Sequence, residues 1–509
     1  MSIVTAPPPP LNPLDLPEVR AHIGQYLDKS SAHACLLVSR DWNASFADHI
    51  WREVIVRGVA THPGNPPLSL LVRKSALVRS LRFDFICSLE HLSVDCDQLE
   101  YLALQSPALG IHDLHELSED IHTKFQELIR RNERTLQSLK IYTPKPYLST
   151  RFWETVLRCQ NLSTLCLNCT AIEWKCSWLF WQICSRVASV EVANVRFHEA
   201  PVTDGSSPMP TTPFRRIRSL HLKHLDGMSL IQQLGVFKKC PQLTCLWWEL
   251  DHSEGRSFPA KVLCESIVTG QWPHLHSLSL SPNCMTDQDL AIVLGGLNPM
   301  TVLELPHADI GSLASVALEK HFPTLKQLHL IPGQKGVDLG ALSNRVLIQC
   351  PNLKSIKTEV MSVKKLSELP DVRWACQSLH HLEMRFDFSL LAGQAEQEAR
   401  YRDLLLQQLG SLTQLRTLDI SRRQPHIATE EVGLRLSLSH GLHALSELGR
   451  LERLNFLGSE QRWTMNEANW IIEHWKQLKE IKGECSPFLE TRSQVVHALR
   501  EHGVALYRP

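Results

Sequence analysis

Four cysteines in the first half of the chain have the spacing closest to a chemically active site. Cys166 and Cys169 are separated by two residues, and Cys176 and Cys184 follow downstream. Four thiolates in such an arrangement could hold a structural zinc ion, which takes tetrahedral sulfur ligands. Cys166, however, falls inside a recurring strand pattern, and Cys169 falls in the loop after that strand. The spacing is better explained by packing, and we predict neither a metal site nor another cofactor.

Local signatures of catalysis are missing from the sequence. The chain contains 25 histidines, but none stands in an HExxH arrangement. It also lacks the glycine-rich and Walker loops that cradle phosphates, and the Gly-x-Ser-x-Gly turn that presents a nucleophilic serine. The pair His380-His381 falls on a predicted strand and is expected to line its surface. The sequence therefore predicts a protein that is not an enzyme.

The composition is that of a globular chain able to bury a large core. The 509 residues include 53 basic and 53 acidic side chains, so the formal net charge is zero, and 43% are hydrophobic. This balance argues against wholesale disorder and against a nonspecific nucleic-acid binder, which is normally basic. The sequence has no apolar run near 18 residues, and its first residues, MSIVTAPPPP, lack the features of a secretory signal. The 15 cysteines then indicate reduced thiols, and we expect a cytoplasmic or nuclear protein with no membrane or nucleic-acid partner.

One pattern recurs along most of the chain: an apolar residue, two variable residues, an apolar residue, one variable residue and an apolar residue. Clear copies begin at Leu275 and Leu325, and both follow a proline that stops the preceding helical stretch. Three further hits, at Val78, Leu89 and Leu99, are too close together to be full repeats. Counting looser copies, the first apolar position falls at 136, 162, 187, 217, 243, 275, 300, 325, 353, 379, 415, 451 and 478, with spacings of 25 to 36 residues.

The repeated unit is predicted to contain a helix, such as residues 341–348, then a proline stop, a short strand and a loop. One such unit cannot bury its apolar face alone, so the strands of neighbouring units must stack in parallel with the helices outside. A helix over 491–502 and a capping strand at 504–506 are expected to end the array. The pattern resembles the leucine-rich repeat in its longer, cysteine-containing version. That resemblance implies an α/β solenoid, a horseshoe with parallel strands on its concave face.

The residue between the second and third apolar positions should point into the concave groove, because side chains alternate between the faces of a strand. These residues are Lys140, Cys166, Glu191, His221, Trp247, Ser279, Glu304, His329, Lys357, Glu383, Asp419, Asn455 and Lys482. Trp247 is the one large aromatic side chain among them, whereas its neighbour Trp248 should lie in the core. Since exposed tryptophan is enriched in binding hot spots, the predicted substrate-binding residues are His221, Lys223, Trp247, Glu249 and His329.

Residues 14–57 follow a different pattern, which predicts three short helices. Pro17 suits the first turn of the first helix. Ser30 or Ser31 can cap the second helix. On the third, apolar side chains repeat every four residues from Trp42.

This helical segment contains Leu16-Pro-Glu, then Ile23 and Leu27, then Leu36-x-Val-Ser-Arg-x-Trp42, and a final Trp51. That order of residues resembles the F-box motif. F-box proteins bind a Skp-type adaptor that links them to a cullin–RING ubiquitin ligase, and the resemblance implies the same docking here. An F-box followed by leucine-rich repeats is a known arrangement, and the order of elements also resembles F-box proteins of early-diverging fungi. Ala32 departs from the motif, which usually has leucine there, and the smaller side chain is expected to weaken the adaptor interface. The implied adaptor-binding residues are Leu16, Pro17, Ile23, Leu27, Leu36, Val38, Trp42 and Trp51.

The sequence divides into segments of different character. We expect a disordered tail at 1–12, an F-box domain at 13–57, a linker at 58–76 and a leucine-rich-repeat solenoid at 77–509, with longer loops at 199–213, 250–258 and 386–400.

The resemblance implies the substrate-recognition subunit of an SCF-type E3 ubiquitin ligase. The F-box would dock on the adaptor, and the repeats would hold a substrate protein, of unknown identity, for ubiquitination. An alternative is a leucine-rich-repeat interaction scaffold without a ligase role, in which the F-box-like helices only cap the solenoid. A third class is a regulator that binds an enzyme through the concave face. A receptor needs the apolar face of the helices exposed to a partner, whereas a cap needs it buried against the first repeat.

Overall fold

A computed structural model divides the chain into two compact units, Met1–Cys240 and Pro241–Pro509. The structure describes residues 12–57, 62, 64–84, 89–105, 119–142, 148–198, 212–249, 260–281, 285–308, 310–332, 339–363, 373–388, 391, 394–421, 434–459 and 461–507. The predicted tail at 1–12, apart from its last residue, and the whole predicted loop at 250–258 lie outside these residues, as does nearly all of the loop at 199–213.

The first unit begins with helices and continues as strands alternating with helices. Its helices are α1 Pro17–Gly24, α2 Lys29–Leu36, α3 Arg40–Trp51, α4 Leu68–Lys74, α5 Leu89–Leu92, α6 Glu119–Arg131, α7 Thr150–Arg158, α8 Trp174–Cys184 and α9 Leu230–Lys238. Its strands are β1 Glu53–Arg57, β2 Ser80–Asp84, β3 Tyr101–Gln105, β4 Ser138–Tyr142, β5 Thr164–Asn168, β6 Ala171–Ile172, β7 Ser189–Ala193, β8 Arg196–Phe197 and β9 Ser219–Lys223. The described strands form a parallel run in the order β1-β2-β3-β4-β5-β7-β9, and β6 pairs with β8.

The second unit continues the same alternation. Its strands are β10 Cys245–Glu249, β11 Ser277–Ser281, β12 Val302–Ala308, β13 Gln327–Pro332, β14 Ser355–Ser362, β15 His381–Asp387, β16 Thr417–Asp419, β17 Arg453–Asn455, β18 Glu480–Lys482 and β19 Ala505–Tyr507. Its helices are α10 Ala260–Val268, α11 Asp287–Gly296, α12 Ser312–Glu319, α13 Leu339–Gln349, α14 Ala395–Gly410, α15 Met465–His474 and α16 Leu489–Glu501. The strands pair in parallel in chain order from β10 to β19.

The apolar pattern of the sequence builds this sheet, so the prediction of a parallel α/β repeat is confirmed. In β5 the second and third apolar positions, Leu165 and Leu167, are fully buried and pair in register with Leu139 and Ile141 of β4. Burial of these apolar positions in one layer holds neighbouring repeats together, because each repeat supplies only a thin apolar face. The predicted C-terminal helix and capping strand are also present, as α16 and β19.

Two patterns excluded from the repeat count prove to be full strands. The copies at Val78 and Leu99 lead into β2 and β3, which pair with each other along five residues. The hit at Leu89 lies instead in α5, a helix of four residues. Because the helix between β2 and β3 is so short, these repeats have a smaller spacing than the others, and the spacing criterion rejected them.

Three boundaries differ from the sequence prediction. The parallel sheet begins at β1, which directly follows α3 and lies within the segment predicted to be wholly helical. The segment predicted as a loop at 386–400 contains the end of β15 and the start of α14. The cap of α2 is Asp28 rather than a serine, since its carboxylate accepts the Ser31 N–H at 2.7 Å. A carboxylate at a helix N-terminus also interacts favourably with the helix dipole.

Side chains of one repeat also satisfy the backbone of the next. Asp287, at the start of α11, accepts the N–H groups of Gly311, Leu313 and Ala314 at 2.7, 3.0 and 2.9 Å. These donors belong to the first turn of α12, where helical N–H groups have no partner within the helix. One carboxylate therefore caps the helix of the following repeat.

Three turns in the first unit use left-handed backbone at residues other than glycine. Cys169, Asn194 and His224 have φ angles of 58°, 52° and 47°, and each is the first residue after a strand. A β carbon is strained in this region, and asparagine tolerates it better than cysteine does. The same tight turn is therefore built repeatedly, with strain at Cys169.

Replacing Cys169 by glycine is expected to raise the free energy of unfolding by about 0.5–1 kcal/mol, because glycine adopts positive φ without the steric cost. This outweighs the loss of one hydrogen bond from the thiol to the Asn168 side chain. Urea unfolding measures the change. The same replacement at Cys35, inside α2, should instead lower stability by roughly 1 kcal/mol. A destabilised Cys169→Gly variant would contradict the strain argument.

Candidate functional site

The three N-terminal helices form a small layer with its own interior. Both α1 and α2 pack against α3. Phe46 is fully buried there, and its ring stacks on Trp42 with centroids 5.4 Å apart. Arg20 is also buried, where its Nε donates to the Ser45 hydroxyl at 2.9 Å and its Nη1 donates to the Leu14 carbonyl at 3.0 Å. The contacts within the layer thus include aromatic stacking and the hydrogen bonds of a buried arginine.

Outside this interior, the same helices expose apolar side chains. Leu16, at the N-cap of α1, is 42% exposed, and Val38, just past α2, is 61% exposed. Leu37 is 87% exposed. The sequence analysis did not include it among the adaptor-binding residues, although it lies between Leu36 and Val38 of the motif. Among the predicted adaptor-binding residues, Leu16, Pro17 and Val38 are exposed, whereas Ile23, Leu27, Leu36, Trp42 and Trp51 are half-buried.

Ala32 is a packed residue of the helices. Its side chain is only 3% exposed and lies within the helical layer, on α2. A change at this position acts first on the packing of α2 against α3, because the side chain has almost no surface to offer a partner. The weaker adaptor interface expected from alanine at this position stays a prediction.

In the first unit, the residues that the alternation predicted for the concave face lie in one register row, in which Lys140, Glu191 and His221 are half-buried. Lys140, Cys166, Glu191 and His221 are register partners on four consecutive strands. Cys166 is nevertheless buried, with its thiol 3.1 Å from the Tyr142 hydroxyl, and burial raises the pKa of that thiol to about 12. This cysteine is therefore a packed, protonated side chain rather than a nucleophile.

In the second unit, the corresponding row runs in register from Trp247 on β10 to Lys482 on β18. One pair of opposite charges in this row is compensated, since Lys357 Nζ lies 2.8 Å from Glu383 Oε2. The Asp419 carboxylate instead accepts a hydrogen bond from the neutral Asn455 amide at 2.8 Å. A partner of this face meets a polar surface that carries both signs of charge.

The predicted substrate-binding residues are distributed over both units. His221 and Lys223 lie on β9 of the first unit, and the His221 ring nitrogen Nε2 is 3.1 Å from the Ser219 hydroxyl. Trp247 is 39% exposed on β10 of the second unit and shares that strand with Glu249, while Trp248 is fully buried as predicted. His329 stands farther along, on β13. The combination of these residues into one binding site stays a prediction.

The cysteines that suggested zinc lie in separate surroundings. Cys176 contacts the Thr150 hydroxyl at 3.3 Å, and burial raises the pKa of the Cys184 thiol. Among the residues the structure describes, no group of three or more His, Cys, Asp or Glu side chains is placed to hold a metal ion. No helix within those same residues is long and apolar enough to cross a membrane.

Comparison with known proteins gives similarity in structure only. No protein-family model matches the chain, and no curated protein matches it. An internalin from Listeria monocytogenes is similar at 13% identity and a TM-score of 0.31, with 64% of this chain and 76% of the internalin covered. The complex of Rad7 and Elc1 in yeast is similar at 10% identity and a TM-score of 0.41, with 72% of this chain and 88% of the other covered.

Proposed function

We propose that this chain is the substrate-recognition subunit of an SCF-type E3 ubiquitin ligase. Its N-terminal helices bind a Skp-type adaptor, which connects it to a cullin–RING ligase, and its repeats bind the substrate protein. The observation that carries the proposal is the exposure of Leu16, Leu37 and Val38 on helices that already have a buried interior. Exposed apolar side chains grouped in one small segment are typical of an interaction surface.

The same observation favours a receptor over a cap. A cap would bury its apolar side chains against the first strand of the sheet. Leu16, Leu37 and Val38 are not buried in this way, although α3 contacts β1 and Lys29 Nζ lies 3.3 Å from the Glu53 carbonyl and 3.7 Å from its carboxylate. Such a polar, exposed contact contributes little to stability. The apolar surface therefore remains available to another protein.

The repeats contribute binding rather than chemistry. In the second unit the strands carry the ion pair of Lys357 with Glu383 and the exposed Trp247, and in the first unit Cys166 is held protonated by burial. Holding a substrate beside a ubiquitin-loaded enzyme accelerates transfer through proximity alone. In this role the chain needs no catalytic residue of its own.

Replacing Val38 by aspartate is expected to weaken binding of a purified Skp-type adaptor at least tenfold, about 1.4 kcal/mol, because the carboxylate would be desolvated in an apolar interface. Val38 is exposed, so the change should leave the fold intact. Titration of the immobilised full chain with the adaptor gives the affinity.

The matched control is Val72→Asp, because Val72 is also an exposed valine, at 54%, and lies on α4 outside the helical layer. We expect its affinity for the adaptor to be unchanged. Equal loss in both variants would mean that added charge, rather than this surface, controls binding. A folded chain that binds no adaptor would instead favour the alternative function, an interaction scaffold without a ligase role in which the helices cap the solenoid.

A further inference from the structure

The last repeat of the second unit contains an open groove of about 600 Å³, here called the C-terminal groove. It lies along α16, between that helix, the turn after β18 and the strand β19. The volume is within the range of ligand-binding clefts. This region is far along the sequence from the helices proposed to bind the adaptor, so binding at the groove and binding of the adaptor are independent of each other.

The strand β19, which borders the groove, is less buried than the strand beside it. Leu506 of β19 is the register partner of Ile481 in β18, yet Ile481 is fully buried whereas Leu506 is only half-buried. Leu489, on the first turn of α16, is 74% exposed, and Val496 lines the same groove. Leu489, Val496 and Leu506 thus give the lining of the groove an apolar part.

The two arginines that line the groove differ in how far neighbouring groups compensate their charges. Arg492 forms an ion pair with Glu484 and donates to the Pro487 carbonyl at 3.2 Å, so its charge is largely compensated. Arg500 also lines the groove and is exposed, and its guanidinium has no ion-pair or hydrogen-bond partner among the described residues. One positive charge thus remains for a ligand to neutralise.

The spacing of these features fits an extended peptide. Val496 and Arg500 are one helical turn apart, a rise of about 6 Å. In an extended chain, residues two apart point to the same side and are separated by about 6.6 Å. We propose that the C-terminal groove binds an extended segment of a partner protein that carries an apolar side chain and a carboxylate two residues apart. The apolar side chain contacts Leu489, Val496 and Leu506, and the carboxylate pairs with Arg500.

Selection of a displayed library of random nine-residue peptides against the full chain tests this proposal. We expect the enriched sequences to share an apolar and an acidic residue two positions apart. A fluorescent peptide made from the enriched consensus should bind Arg500→Glu at least tenfold more weakly than the original chain. The same loss should follow when the acidic residue of the peptide becomes its amide. Leu489→Ser should weaken binding severalfold through the apolar contact.

Arg400→Glu is the matched control, since Arg400 is also exposed on a helix of the second unit, α14, and does not line the groove. Its affinity for the peptide should change less than twofold. Enriched peptides without acidic residues, or equal binding to Arg500→Glu, would overturn the proposal. So would displacement of the peptide by hexanoate at comparable concentration, which would assign the groove to free carboxylates. A dimer in sedimentation that Arg500→Glu abolishes would assign it to a second copy of the chain.

Discussion

Replacing Asn132 by leucine is expected to lower the free energy of unfolding of the first unit by about 3–4 kcal/mol, since it removes the hydrogen bonds of this side chain to three buried backbone groups. Asn132 follows α6 and is 1% exposed. Its Oδ1 accepts the Leu99 N–H at 2.7 Å, and its Nδ2 donates to the carbonyls of Cys96 and Leu128 at 2.7 and 2.9 Å. Leucine fills a similar volume but can make none of these bonds. The side chain therefore fixes the segment that leads into β3.

Hydrogen exchange followed by mass spectrometry reports this change locally, as faster exchange in peptides that cover β3 and α6. Urea unfolding of the full chain gives its size. Asn161→Leu is the matched control, because Asn161 is an exposed asparagine of the same unit that makes one hydrogen bond, to the Arg134 carbonyl. We expect that control to cost less than about 1 kcal/mol. Equal costs for the two variants would contradict the role assigned to Asn132.

The second unit is expected to lose stability as the pH falls from about 6.5 towards 4, through His321. This side chain is fully buried. Its Nδ1 accepts the Met300 N–H at 3.1 Å, which leaves the proton on Nε2, 3.0 Å from the Leu294 carbonyl. Burial is the main reason that the pKa of His321 is lowered to about 4, and the neighbouring Lys320 charge adds to the effect. The folded state therefore requires the neutral ring.

The direction of the pH effect follows from proton uptake. Between pH 4 and 6.5 the unfolded chain binds a proton at His321 that the folded chain does not, so acid favours unfolding. The contribution is complete above the ordinary pKa of 6.5 and is lost as the pH falls through the window. At pH values above this window, the neutral His321 contributes about 3 kcal/mol to the free energy of unfolding, because a pKa difference of one between the folded and unfolded states corresponds to 1.36 kcal/mol.

Urea unfolding of His321→Gln at pH 7 and pH 4.5 isolates this contribution. Glutamine can still accept from Met300 and donate to Leu294 but does not titrate, so the variant should lose less stability in acid than the original chain. His274→Gln changes an exposed histidine of the same unit and should leave the pH dependence unaltered. An identical acid response in His321→Gln and the original chain would contradict the argument.

The sequence by itself determined the features that depend on neighbouring residues along the chain. Alternation within each repeat placed Leu165 and Leu167 in the core and put Glu191 and His221 in one register row. The helices α1, α2 and α3, and the closing helix α16, also follow from local patterns of apolar side chains, caps and prolines. These features are predictable because a side chain in a strand or helix takes its direction from local backbone geometry.

The tertiary structure alone decided which side chains connect one repeat to the next, and which face outwards. Asn132, Asp287 and His321 hydrogen bond to backbone groups more than 20 residues away in the sequence, and no local pattern marks them. The burial of Ala32 and the exposure of Leu37 likewise depend on how α2 packs against α3. Arg500 shares a groove with Leu506 only because α16 packs beside β19. Hydrogen bonds between repeats and the burial of individual side chains arise only when separate elements pack together. They could therefore be assigned only once the stacking of the repeats was known.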